Sequence, residues 1–138
     1  MQPANKLTIY TDGGARGNPG PAAIGAVVGD KSYFQTIGTA TNNVAEYQAV
    51  IFALRKAKQL LGKARAKNTK ITVVADSNLL VQQLGGKFKI KDKELKMLFV
   101  DIWNLKQDFL QVDFRHVRRE ENKEADHLVN KALNTLKI

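Results

Sequence analysis

The chain has no cysteine, which excludes disulfides and thiolate metal sites and suits a reducing compartment. It has no apolar run of membrane-spanning length, and the opening from Met1 to Lys6 is too short and polar for a secretory signal. A cytoplasmic location with no membrane partner is therefore expected. Repeats, linkers and low-complexity tracts are also lacking, so the 138 residues read as one domain over 1–138 with a sizeable core. Acid is scarce relative to base: 13 Asp and Glu against 22 Lys and Arg leave a formal charge of +9. Such an excess calls for a polyanion, because clustered Lys and Arg displace counterions from phosphate backbones. Charge alone would suit an anionic membrane surface equally well. Nothing requires an obligate protein partner, and a monomer is the default.

What is present is a regular succession of strand and helix patterns. Leu7, Ile9 and Thr11 alternate with Thr8 and Tyr10 at the period of a strand, and the glycines from Gly13 onward read as its abrupt end. Asp12 would then stand at the strand's carboxyl edge, where α/β sheets collect ligands and catalytic groups; Asp-Gly is equally a common turn dipeptide. Residues 22–28 and 33–39 flank a Gly-Asp-Lys-Ser turn and complete an antiparallel meander. Residues 44–61 carry apolar side chains at period 3.6, including Ala49, Val50, Ala53, Leu54 and Ala57. A basic loop at 62–68, a buried strand at 70–75 ending in Asp76, and a short helix at 77–84 stopped by Gly85-Gly86 follow. An amphipathic helix marked by Leu95, Leu98, Phe99, Ile102, Leu105 and Phe109, a strand at 111–116 and a helix at 122–136 complete the order βββαβααβα. Right-handed helix crossovers would set the first, fourth and fifth strands parallel in a five-stranded mixed α/β sheet.

Four acids stand at suggestive places. Asp12 and Asp76 each follow a strand, and parallel neighbours would bring them side by side. Glu46 falls on the apolar stripe of the long helix, where a charge needs a partner, although Asn43 as N-cap with Glu46 three residues on also has the form of a capping box. Asp126 lies at the margin of the last helix's stripe and could equally be a solvated first-turn acid. Two carboxylates about 4 Å apart repel by roughly 4 kcal/mol at an effective dielectric near 20, so four in one cleft must bind protons or cations. An all-oxygen donor set suits Mg²⁺, and a pair of such ions can drive in-line displacement at a phosphodiester. A basic protein with an acidic metal cleft reads as a nuclease; a hybrid-binding module without cleavage and a metal hydrolase of small phosphate esters are the rivals.

Residues 10–21 (Tyr-Thr-Asp-Gly-Gly-Ala-Arg-Gly-Asn-Pro-Gly-Pro), 41–46 (Thr-Asn-Asn-Val-Ala-Glu), 75–77 (Ala-Asp-Ser) and 116–126 (His-Val-Arg-Arg-Glu-Glu-Asn-Lys-Glu-Ala-Asp) together resemble type 1 ribonuclease H over nearly the entire chain. The resemblance implies the ribonuclease H-like fold, with helices on both faces of the sheet. It implies hydrolysis of the RNA strand of RNA/DNA hybrids with two Mg²⁺ ions, Mn²⁺ being a possible substitute, to leave 3′-hydroxyl and 5′-phosphate ends. By the same resemblance Asp12 would bridge both ions, Asp126 would help hold the one that activates water, and Glu46 and Asp76 would hold the other. His116 matches a mobile histidine that assists turnover, although a lone histidine at a strand end is commonly a surface residue. Gly13, Asn18, Thr41, Asn42, Asn43 and Ser77 match nucleic-acid contacts, with Thr41 at a DNA-strand phosphate and short amides suited to reaching 2′-hydroxyls. Asn78 stands where many members carry Gln. Phe88, within the alternating Lys-Phe-Lys-Ile-Lys of 87–91, could stack on a base or sugar or simply belong to a lysine-solubilised loop. The segment between Leu84 and Leu95 is too short for the basic handle of some bacterial members, and no separate hybrid-binding domain is expected before Leu7.

Overall fold

A computed structural model describes residues 4–136, so the expected 1–138 span runs beyond the described residues at both ends. The sheet is built around β1 (Asn5–Ala15), whose alternate residues Leu7 and Ile9 enter the core on one face. Antiparallel partners β2 (Gly20–Val28) and β3 (Lys31–Ala40) lie on one side of it. Parallel partners β4 (Thr69–Ala75) and β5 (Gln111–His116) lie on the other. The strand order is β3-β2-β1-β4-β5, the mixed arrangement that hairpins followed by helix crossovers require.

Helix α1 (Asn42–Leu61) packs across the sheet, burying Val50, Ala53, Leu54 and Ala57 against Ile9, Ile71 and Val73. Helix α3 (Asn78–Leu84) and helix α4 (Lys93–Lys106) complete that layer, with Leu80, Leu84, Leu95 and Ile102 in the same core. Helix α5 (Lys123–Asn134) covers the opposite face, where Val129, Ala132 and Leu133 meet Ala23 of β2. Gly25 makes this approach possible, since a Cβ there would lie 2.6 Å from the Ala125 carbonyl oxygen. Among the described residues no helix is long and apolar enough to cross a membrane.

Several boundaries differ from expectation. The basic stretch after α1 is not a plain loop: Lys63–Lys67 form a short helix, α2. Arg65 of that helix donates to the carbonyls of Leu61 and Leu60 at 2.7 and 2.9 Å, which are end groups that α1 cannot satisfy internally. Phe109 lies beyond α4, yet it is buried in the core. Strand β1 does not stop at Asp12 but continues to Ala15, because β2 pairs with Gly13, Gly14 and Ala15 to the end. The α1 N-cap is Thr41, whose Oγ1 accepts from the Val44 N–H at 3.2 Å. Asn43 is inside the helix, so the expected capping box does not form.

Candidate active site

The site begins where β1 loses one neighbour. Pairing with β4 runs only to Tyr10 and Val74, while pairing with β2 continues past Asp12. The notch left beside Asp12 is occupied by Asp76, the first residue after β4. Glu46 reaches the same place from α1, and Gly13 explains how. A Cβ on Gly13 would lie 2.3 Å from the Ala45 carbonyl carbon and 2.6 Å from the Glu46 nitrogen, so only a glycine lets the helix backbone touch the strand here. With the cap at Thr41, Glu46 is free of capping duty and lies one turn into the helix. Asp12, Glu46 and Asp76 each offer a carboxylate oxygen within 4.8 Å of the others. Asp126, in the first turn of α5, lines the same cleft, and Arg119 approaches it at 3.7 Å.

Two of these acids, Asp12 and Glu46, have raised proton affinity. Burial first, then the charges of Asp76, Glu46 and Asp126, push Asp12 from its ordinary 3.8 up to about 8, against a smaller pull from the Gly13 N–H. Burial and then Asp76 raise Glu46 from 4.5 to about 7, with the Ser77 hydroxyl and Arg119 acting in the other direction. Charge in this cleft is thus under-compensated by the protein itself. A closely spaced, all-carboxylate donor set in which Asp12 and Glu46 hold protons tightly is a fitting receptor for hard divalent cations.

The candidate nucleic-acid residues also hold the rim together. The Asn18 side chain accepts from the Asn42 N–H at 3.0 Å, and the Asn42 side chain accepts from the Ala15 N–H at 2.8 Å. The first link satisfies an open donor at the start of α1; the second ties the helix to β1. Ser77 caps α3 by accepting from Leu80 N–H at 3.2 Å, as Thr41 caps α1. Gly13 and Asn42 line the cleft, and Asn43 is exposed on the first turn of α1. Phe88 is half-exposed on the loop between α3 and α4. His116 ends β5, paired in register with Ala75; it is exposed and does not line the carboxylate cleft.

Comparison with known proteins bears on the same arrangement. Residues 10–132 match the reverse transcriptase-like family. The crystal structure of RNase H1 from Halobacterium salinarum superposes with a TM-score of 0.87 at 38% identity, covering 96% of this chain and all of that one. The chain belongs to the type 1 ribonuclease H family.

LC11-RNase H1, solved in complex with an RNA/DNA hybrid, is another ribonuclease H of this shape, with a TM-score of 0.88 at 41% identity over 94% of this chain and 97% of that one. A bifunctional protein of Mycobacterium tuberculosis is 40% identical over 93% of this chain. The chain spans 35% of the length of that protein and of its two similarly matched mycobacterial counterparts.

Three residues in or beside the cleft were not legible in advance. Arg16 and Arg119 line the cleft, and their position in glycine-rich and charged turns resembles ordinary surface sequence. Asn122 is buried beside Asp76 and donates to it at 3.2 Å. In sequence it reads only as the polar first residue of the last helix.

Proposed function

We propose that this chain hydrolyses the RNA strand of RNA/DNA hybrids by a two-metal-ion mechanism, producing 3′-hydroxyl and 5′-phosphate ends. The observation that carries the reading is Asp12, buried and flanked by Glu46 and Asp76 with carboxylate oxygens within 4.8 Å. Asp12 would be shared by two Mg²⁺ ions, Glu46 and Asp76 would complete the holding of one, and Asp126 would serve the other; Mn²⁺ would substitute. Bound there, the ions would supply an activated water and neutralise charge at the scissile phosphate and its leaving oxygen.

The protein's own part is to place charge and exclude error. Buried Asp12 and partly buried Glu46 would release their protons when cations neutralise the cleft. Arg119, already beside Asp126, adds positive charge at the mouth, where a phosphate must enter past four acids. Asn42 uses its side-chain oxygen on Ala15, which leaves the amino group for an acceptor such as a 2′-hydroxyl. Gly13 lines the cleft, Asn18, Thr41, Asn43 and Ser77 would meet the duplex around it, and Phe88 with its lysine neighbours would offer a platform farther along. His116, at the exposed end of β5 next to the strand that leads to Asp76, would act from the edge of the site, on product departure.

Support comes from LC11-RNase H1, which binds such a hybrid and shares 41% of its residues with this chain. A labelled hybrid incubated with Mg²⁺ should yield RNA fragments with 3′-hydroxyl ends, while duplex DNA and single strands stay intact. Asp12→Asn should abolish cutting. Equal cutting by that variant, or no hybrid cleavage by the folded wild type with Mg²⁺ or Mn²⁺, would refute the reading.

A further inference from the structure

Asn122 follows the 3-10 turn at Arg119–Glu121 and is 2% exposed. An amide that deep brings two donor hydrogens and an acceptor oxygen, all of which need partners. Its Nδ2 donates to the Thr11 carbonyl at 2.9 Å and to Asp76 Oδ2 at 3.2 Å. Its backbone carbonyl accepts from the Asp126 N–H at 3.1 Å. One residue therefore touches the backbone next to Asp12, the carboxylate of Asp76 and the helical turn that carries Asp126.

The remaining polar atom, Oδ1, is buried and has no hydrogen-bond partner. Turning the amide over does not help, because both groups facing Nδ2 are acceptors and the oxygen would then face two oxygens. A leucine of similar shape would fill the space and leave no orphaned acceptor of its own. What the leucine could not do is donate to Asp76. A lysine or arginine could donate, but its charge would neutralise Asp76 and compete with a cation, and an aspartate would repel it. A neutral donor fixes the carboxylate and leaves its full charge available.

We propose that Asn122 is a positioning residue of the metal site: by holding Oδ2 of Asp76 while anchored to β1 and α5, it presents that carboxylate to the cleft in one orientation. The inference rests on the metal-dependent reading above. Hydrogen-bond partners of metal-binding groups commonly change metal affinity 10–100-fold when removed.

The test uses Asn122→Leu and Asn122→Ala. Mn²⁺ binding is measured by calorimetry without substrate, melting temperature in chelator, and the Mg²⁺ midpoint of hybrid cleavage with KM at saturating Mg²⁺. Mn²⁺ affinity should fall about 10-fold or more and the Mg²⁺ midpoint should rise by a similar factor, with KM for the hybrid unchanged. Asn122→Leu should melt in chelator no more than a few degrees from wild type, a split that a merely structural role would not give. Wild-type Mn²⁺ affinity in a folded variant would overturn the proposal. So would failure of both variants to fold, which would make Asn122 a residue of the fold alone. If the wild type binds Mn²⁺ but does not cut hybrids, the proposed function fails while Asn122 is still judged by the Mn²⁺ titration.

Discussion

Replacing Asp12 with asparagine should stabilise the metal-free protein while destroying its metal site. Asp12 is 8% exposed, and its carboxyl titrates at about 8 in place of 3.8. The folded state therefore keeps a proton that the unfolded chain releases. A group raised in this way contributes its stability below pH 3.8 and loses it progressively as pH rises to about 8. Each unit of that window corresponds to about 1.4 kcal/mol. Water entry and relaxation of the open cleft reduce the total to about 2–3 kcal/mol at pH 8. The Asp12→Asn side chain has no proton to lose, so it should melt about 6–10 °C above wild type at pH 8 in EDTA, with the gap shrinking toward pH 5. Glu46, at about 7, steepens the wild-type decline in the same range. Adding Mg²⁺ at 100 times its dissociation constant should return about 2.7 kcal/mol to wild type and much less to the variant. A variant that melts at or below wild type in EDTA, or a gap that does not widen with pH, would refute this account of the cleft.

Gly13→Ala should lower stability by about 3 kcal/mol and weaken Mn²⁺ binding, since its methyl would lie 2.3 Å from the Ala45 carbonyl; a calorimetric melt at the wild-type temperature would count against the close strand–helix approach. Tyr47 is buried and donates to Gln83 Oε1, so Tyr47→Phe should reduce urea stability by about 1–3 kcal/mol, and an unchanged unfolding midpoint would show that the bond contributes nothing. Asn18→Ala should both weaken hybrid binding and lower stability by about 1 kcal/mol, because the Asn42 N–H at the start of α1 loses its acceptor. Weaker binding with an unaltered melt would instead assign Asn18 to substrate alone.

The elements with clean periodicity were readable because each buries a face by itself: β5 falls at Gln111–His116, and α1 carries its stripe against Ile9 and Val73. What sequence obscured was set by neighbours. Gly13-Gly14 resembles a turn, yet β2 holds both in the sheet, and Gly13 is there to let the helix backbone approach. Thr41 and Asn43 are both good cap residues, and local chemistry does not choose between starts two residues apart. The four carboxylates stood out because acids on buried stripes and strand ends are costly. Asn122 did not, because its partners lie 111 and 46 residues away in the chain.

The strand order has a consequence for when activity can arise. Chain segments bearing Asp12, Glu46 and Asp76 can assemble as β1, α1 and β4 come together, but Arg119, Asn122 and Asp126 all lie in roughly the last seventh of this sequence. A nascent chain still short of α5 would have exposed apolar residues on β2 and an unfinished catalytic centre. Ribosome-bound fragments that lack α5 should therefore be inert toward nearby hybrids, and emergence and docking of that helix is the step that would complete the site.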